Sequence, residues 1–341
     1  MIISLTGEKK TQKIKEACQK LLQSPQPTIR EVARVIGMLT ASFPGVMFGP
    51  LHYRHLDMDK TVALKIRKGN YNKTMTLPDE AKHELSWWVS SIESVYNVHA
   101  GHGQADTTMT TDASKTGWGC SLAGTPTGGS WDSGESEKHV NWLKVKAILL
   151  SLKSFVDHIC QKHVKILSDN TTAVCCINHM GTSHSKEKNL LVKEIWEFCI
   201  TNNNWITVAH IPGKQNVIAD FESRRGTNDK EWALDQAVYD QAIQLLDVTS
   251  SIDLFASRLN YKCKPYVAFR PDPEAQAINA FHISWVNMCF YAFPPFLHYQ
   301  PSITKNIRRE GNRHNSNSTL ADPVLVAISN QYVNKLSPYV A

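Results

Sequence analysis

The order of strand-like and helix-like segments between residues 107 and 223 constrains this chain more than any other feature. Thr107 to Ser114 is Thr-rich and reads as a strand. Trp118 to Ala123 reads as a second strand after a tight turn, and Gly128-Gly129-Ser130-Trp131 suggests a third. A helix is expected from about Val140 to Ile159. Val164 to Leu167 is a short apolar run of the buried-strand type, closed by Ser168-Asp169-Asn170. Helices follow over about Thr172 to Asn178 and Glu187 to Thr201, then a strand from Trp205 to Ile211 and a short helix from Gln215 to Ser223. That order makes an α/β domain with a mixed five-stranded sheet and flanking helices.

The flanks differ in pattern. Residues 1–100 read as helices: Lys13 to Leu22 is amphipathic, and Thr28-Ile29-Arg30-Glu31 is a capping box that opens a helix running to about Leu39. A third helical stretch covers roughly Gly49 to Lys68. A fourth starts at Pro78, a favoured first helical position, and runs to about Val95, with Leu85, Trp87, Trp88 and Ile92 as core. Beyond Arg225 the pattern is less regular. Glu231 to Leu246 reads as helix, Asp253 begins a strand-like segment, residues 306–319 read as a polar, slightly basic loop, and Val324 to Ile328 as a last strand.

Composition narrows the classes. A chain of 341 residues with 42% apolar and 20% charged residues is globular, of two or three domains, and is neither disordered, collagenous nor a coiled coil. Its net charge of +6 permits a polyanionic partner without demanding one. The eight cysteines form no Cys-x-x-Cys pair, so they read as reduced, packed thiols of an intracellular protein, cytoplasmic or nuclear and not secreted. The opening MIISLTGEKK is too short in its apolar run for a signal peptide. The apolar stretch from Ala277 to Tyr299 is interrupted by Asn279, His282, Asn287 and Pro294-Pro295, so no membrane helix is expected there.

Three aspartates carry the chemistry. Asp112 ends the first strand of the α/β segment, Asp169 ends the fourth, and Asp220 lies on the late helix. Taken singly, each reads first as a turn or cap residue. Together, acids at the ends of strands of one sheet can converge on its carboxyl edge, where hard cations such as Mg²⁺ find oxygen ligands. Two such ions clamp both oxygens of an in-line displacement at phosphorus.

These motifs resemble a known family. Thr111-Asp112-Ala113-Ser114, Ser168-Asp169-Asn170 and Ala209-His210-Ile211-Pro212-Gly213-Lys214 with Ala219-Asp220 resemble the ribonuclease H domain of reverse-transcribing elements. The run Asp-Asn-Thr-Thr-Ala-Val at 169–174 and His-Ile-Pro-Gly-Lys at 210–214 are similar to those of DIRS-type retrotransposon polyproteins. Gly49-Pro50-Leu51-His52-Tyr53-Arg54 resembles the thumb or connection segment. Asp253 to Asn260 and Tyr291 to Phe296 resemble the family's methylase-like C-terminal extension. The resemblance divides the chain into a helical thumb-like region at 1–100, a ribonuclease H-like domain at 105–225 and a small α/β remnant at 226–341.

The resemblance implies a hydrolase acting on the RNA strand of an RNA–DNA hybrid with two Mg²⁺ or Mn²⁺ ions. Asp112, Asp169 and Asp220 match three of four metal ligands, and His210 matches a mobile histidine that assists product release. Ser114, Asn170 and Thr171 would lie beside the metals and contact phosphate or 2′-OH groups. The fourth ligand is a glutamate in the family; within His139-Val140-Asn141-Trp142-Leu143-Lys144 the matching position is Lys144. Its spacing from Val140, Ala147 and Ile148 places it on their face of the helix. Glu135 and Glu137 are close in sequence but precede that helix. Weak metal binding and impaired hydrolysis are therefore expected, with a non-enzymatic nucleic-acid-binding remnant as the alternative. The palm signature of an aromatic, any residue and two aspartates occurs nowhere, so the polymerase core would lie before residue 1 and the chain is expected to be a fragment, a truncated gene model or a decayed copy of the element; an RNA–DNA hybrid is the expected partner, with an intact reverse transcriptase as a further candidate that the sequence leaves open. In the methylase-like motif the polar position is Phe293.

Overall fold

The computed structural model describes residues 2–3, 8–92, 98–99, 103–225, 234–247, 249–286 and 288–293. Residues 306–319, Val324 to Ile328, Pro294 to Phe296 and the expected helix start at Glu231 lie outside the described residues. The chain divides into two units. One comprises Met1–Thr110, His139–Leu149 and Ile159–Asn216; the other comprises Thr111–Lys138, Leu150–His158 and Val217–Ala341. Among the described residues no helix is long and apolar enough to cross a membrane.

The first unit begins with four helices: α1 (Glu8–Gln23), α2 (Ile29–Thr40), α3 (Arg54–Ile66) and α4 (Asp79–Ser91). The capping box at α2 is formed as expected: Thr28 Oγ1 accepts the Glu31 N–H, and Glu31 Oε2 accepts the Thr28 N–H at 2.9 Å. The single helix expected from Gly49 to Lys68 is two pieces, a 3₁₀ turn at Gly49–Leu51 and then α3. Pro50 lies inside that turn and offers no N–H, and a Cβ on Gly49 would come within 2.8 Å of the Trp88 ring, so the chain turns against Trp88 instead of running straight. Tyr53 gives α3 no side-chain cap. Glu84 of α4 does so from across the bundle, accepting the N–H groups of His55 (3.0 Å) and Leu56 (2.9 Å) as well as lying 3.0 Å from His55 Nδ1.

Leu85, Trp88 and Ile92 are fully buried, with Ile29, Val32 and Leu39 of α2 in the same cluster. Trp87, expected beside them, is only half-buried and stacks on His52, with centroids 3.9 Å apart and an interplanar angle of 12°. Within this unit the helices meet the α/β segment through Arg54, which donates to His179 O (2.9 Å), and through Asp57, which accepts from Ser183 Oγ (2.9 Å). Phe48 lies against Trp196 and Trp205 at centroid distances of 6.2 and 6.3 Å.

The expected α/β class is present. Strands β1 (Thr107–Ala113), β2 (Gly117–Leu122), β3 (Thr125–Ser130), β4 (His163–Ser168) and β5 (Trp205–His210) form a five-stranded sheet in the order β3-β2-β1-β4-β5. β2 and β3 pair antiparallel, while β1 with β4 and β4 with β5 pair parallel. The mixture follows from the connections: tight turns join β1, β2 and β3, and helical crossovers feed β4 and β5. Those helices are α5 (Val140–Ser154), α6 (Thr171–Asn178) and α7 (Lys186–Thr201), with α8 (Val217–Arg224) after β5. The helix expected to run unbroken from Val140 to Ile159 ends at Ser154, and a separate turn follows at Val156–Ile159.

In the second unit, α8 lies directly on β2 and β3. A Cβ on Gly119 would sit 2.4 Å from Ala219 O and 2.5 Å from Ser223 N, and one on Gly117 would sit 2.5 Å from Gly129 O. The glycines of β2 therefore remove the side-chain layer that normally separates a helix from a sheet, and they seat the helix that carries Asp220. Beyond it, α9 (Gln236–Leu246) is capped by Asp235, whose Oδ1 accepts the Ala237 N–H. Two short parallel pairs follow, Ile252–Asp253 with Phe290–Tyr291 and Val267–Ala268 with Ala277–Ile278. The strand expected to run on from Asp253 is thus only two residues long. Two buried carboxylates tie this segment to the hairpin and α8: Arg258 grips Glu135 at 2.8 and 3.1 Å, and Arg270 grips Glu222 at 2.8 and 3.1 Å.

Candidate nucleic-acid site

Asp112 and Asp169 sit at strand ends and Asp220 lies within α8, and each is served by a protein donor. Asp112 is the penultimate residue of β1 and is buried. Its Oδ2 lies 2.8 Å from Ser223 Oγ, which also lies 2.9 Å from the carbonyl oxygen of Asp220. Ser223 carries a single hydroxyl proton, so it serves one of these acceptors at a time while holding both groups close. Asp220 itself is half-exposed, and Arg224, one turn further along α8, donates its Nε to Asp220 Oδ1 at 2.7 Å.

Asp169 follows the last residue of β4 in the other unit. The loop that carries it is pinned by Asn170, the N-cap of α6, whose Oδ1 accepts the Ala173 N–H (2.8 Å) and whose Nδ2 donates to Asn141 Oδ1 (2.9 Å). Lys144 of α5 extends its ammonium to Asp169 Oδ1 at 2.7 Å; the lysine side chain is 10% exposed and the carboxylate 28%. Leu143, Val145, Ala147 and Ile148 around it are fully buried, so the helix holds the lysine stem in apolar surroundings and its head finds the carboxylate. Val140, expected to share the face of Lys144, is 37% exposed.

His210 ends β5 opposite Ser168 in the strand register and is exposed. Thr171 is the first residue of α6 and is exposed. Ser114 and Asn170, expected to face a ligand, are engaged in the fold: Ser114 Oγ donates to Ser223 O at 2.6 Å, and Asn170 caps its helix. Glu135, weighed as a substitute ligand, is taken up by Arg258, and Glu137 is exposed.

The structure therefore brings Lys144 and Asp169 together in one unit, and Asp112, Ser223 and Asp220 together in the other. Ser223, Asn141 and Arg224 were not singled out in the sequence. A serine one turn after Asp220 and an arginine four residues after it were the available signals, and neither differs from an ordinary helix surface pattern. Among the described residues, no three His, Cys, Asp or Glu side chains form a group able to hold a metal ion. Within its own unit, each of these two carboxylates already has a cationic partner, Asp169 the Lys144 ammonium and Asp220 the Arg224 guanidinium.

No protein-family model and no curated protein matches the chain. Among solved structures it is similar to ribonuclease H1 from the halophilic archaeon Halobacterium salinarum NRC-1, at 15% identity and a TM-score of 0.31, over 36% of this chain and 98% of that one. It is similar to LC11-RNase H1 in complex with an RNA/DNA hybrid, at 15% identity and a TM-score of 0.32, over 37% of this chain and 99% of that one. A foamy viral protease-reverse transcriptase dRH in complex with double-stranded DNA aligns at 12% identity and a TM-score of 0.26, over 60% of this chain and 35% of that one.

Proposed function

We propose that this chain is a ribonuclease H-like module of a DIRS-type reverse-transcribing element that binds RNA–DNA hybrids and cleaves them weakly or not at all. The observation that carries the reading is the Lys144–Asp169 ion pair at 2.7 Å. The motif resemblance puts a metal-binding glutamate at position 144. A lysine there changes the local charge by two and supplies a permanent cation where a mobile one is needed. At ~4 Å and an effective dielectric of ~20, a pair of unit charges interacts by ~4 kcal/mol, and a divalent ion doubles that repulsion. Asp169 keeps its negative charge neutralised from within, and the exposed His210 and Thr171 near it are left to meet the backbone and 2′-OH groups of a nucleic acid.

The test is cleavage of a labelled RNA–DNA hybrid in Mg²⁺ or Mn²⁺, alongside a binding titration of the same hybrid. The expected result is salt-dependent binding with little cleavage by the unmodified chain, and a gain of cleavage in Lys144→Glu that Lys144→Ala does not match. An unmodified chain that cleaves as fast as the Glu variant at equal Mg²⁺ overturns the impaired reading. The C-terminal segment is assigned no methyl transfer: Phe293 packs with Tyr239, Ala242 and Tyr291 and has no group to accept hydrogen bonds from an adenine amino group. Methylation of DNA by the purified chain, lost in Phe293→Ala, would count against that assignment.

A further inference from the structure

The turn that follows α3 concentrates positive charge. Between Asp59 and Asp79 the sequence holds five cations, Lys60, Lys65, Arg67, Lys68 and Lys73, and no carboxylate. Only Lys60 pairs with an acid, Asp57 at 2.6 Å; among the described residues Lys65, Arg67, Lys68 and Lys73 have no carboxylate partner, and all four are exposed. Chain folding keeps them close, because consecutive turns are closed by Gly69 N–H to Leu64 O (2.9 Å), Asn70 N–H to Arg67 O (3.1 Å) and Lys73 N–H to Asn70 O (3.3 Å).

The same loop lies across the start of α2. The N–H groups of Ile29 and Arg30 donate to Lys73 O and Tyr71 O, both at 2.9 Å, so the loop is anchored by its backbone and its side chains are left outside. Arg30 adds a further cation, with its guanidinium carbon 5.9 Å from the centroid of the Tyr71 ring and its Nε donating to Asn72 Oδ1 at 3.1 Å. Tyr71 is 40% exposed. Anchored cations around an accessible aromatic ring are what a nucleic-acid strand requires: ammonium and guanidinium groups for phosphates, and a ring face on which an unpaired base stacks.

We infer that the Arg67–Lys73 loop, with Arg30, is a binding site for single-stranded nucleic acid, separate from the residues around Asp169. The inference rests on the proposed function for the class of partner and adds a second contact point on a different part of the chain. Single strand is favoured over duplex because Tyr71 can stack only on a base released from pairing. Nucleic acid is favoured over an anionic membrane because the apolar side chains exposed here, Val62 and Ile66, belong to α3, and within the loop from Arg67 to Thr74 the cations surround one aromatic ring, Tyr71, with no other apolar side chain.

The experiment is fluorescence anisotropy of a labelled single-stranded RNA about 20 nucleotides long, and of its hybrid with DNA, against the full chain over a salt series. In Arg67→Gln/Lys68→Gln the expected outcome is roughly tenfold weaker single-strand binding and a salt slope smaller by about 1.4, two contacts at ~0.7 each. Tyr71→Ala is expected to weaken single-strand binding by about fivefold or more, and Tyr71→Phe to restore it, since the ring and not the hydroxyl stacks. All three side chains are exposed, and far-ultraviolet circular dichroism verifies that the variants fold. If the unmodified chain binds the RNA but the double variant binds it with the same affinity and slope, this site is wrong and the proposed function stands. If the unmodified chain binds neither RNA nor hybrid, both readings fall. Loop-dependent binding to phosphatidylserine vesicles with no loop-dependent RNA binding makes the surface a membrane contact and overturns the inference.

Discussion

The ammonium of Lys144 lies 2.7 Å from Oδ1 of Asp169, joining the buried middle of α5 to the carboxyl end of β4. A lysine with a side chain only 10% exposed needs a counter-charge, and the strand-end aspartate supplies it. The pair thus serves the fold, and under the proposed function it also occupies a carboxylate that a metal would otherwise need.

Removing the cation exposes both roles. Lys144→Met keeps the stem and drops the charge; with Asp169 28% exposed, the loss should fall at about 1–3 kcal/mol, between surface and fully buried pairs. Lys144→Glu places two carboxylates together and should melt lower than the unmodified chain. Added Mg²⁺ should then raise the melting temperature of the Glu variant and leave that of the unmodified chain nearly unchanged. Equal Mg²⁺ stabilisation of both would refute the idea that the lysine displaces the metal.

Glu84 holds the start of α3 from a neighbouring helix. It is 3% exposed and takes two backbone N–H groups, with His55 Nδ1 at 3.0 Å. Glu84→Ala leaves these donors buried without an acceptor, and a loss of about 3–5 kcal/mol is expected in urea unfolding. Glu84→Gln, which keeps one acceptor oxygen, should lose less. A cost below ~1 kcal/mol for the alanine variant would show that water replaces the carboxylate.

Two groups give opposite pH dependence. Burial pushes the Asp253 carboxyl from 3.8 up to about 6, against the N–H groups of Lys262 and Phe255 that favour its charged form. A raised folded pKa means that its ionisation destabilises the fold above pH 6, and that about 3 kcal/mol returns as pH falls from about 6 to 3.8. His52 is pushed from 6.5 down to about 3, first by burial and then by Lys193. Its contribution is fully present above pH 6.5 and is lost as pH falls from there toward about 3. Carbon-13 titration of the Asp253 carboxyl should centre near 6, and the His52 imidazole should stay neutral at pH 5. An Asp253 midpoint near 4 would mean that water reaches it.

Gly119 has no room for a methyl group. Its Cβ would fall 2.4 Å from Ala219 O and 2.5 Å from Ser223 N, both backbone atoms that cannot turn aside. Gly119→Ala should push α8 off the sheet, cost about 3 kcal/mol or more, and loosen the Ser223–Asp112 contact. Gly124→Ala, with nothing within 4 Å but a φ of +88°, should cost only the strain of that backbone, about 1 kcal/mol. Similar thermal melts for the two variants would overturn the close-packing account.

Much of the fold was legible in the sequence. The strand and helix order from Thr107 to Ser223 and the Thr28–Glu31 capping box rest on local periodicity and local hydrogen bonds, which a sequence carries directly. The break at Pro50, the half-buried Trp87 and the end of α5 at Ser154 were not, because each depends on what packs alongside. At the site, the sequence by itself determined that Asp112 and Asp169 lie at strand ends, that Asp220 lies on the late helix and that position 144 is a lysine. Only the tertiary structure decided that this lysine pairs with Asp169, that the Ser223 hydroxyl meets Asp112, and that Asn170 caps a helix. The reason is physical: an ion pair spanning 25 residues and a hydroxyl contact spanning 111 depend on how helices seat on the sheet, and that seating is fixed by burial and by backbone approaches such as the one at Gly119, which leave no periodic trace in the chain.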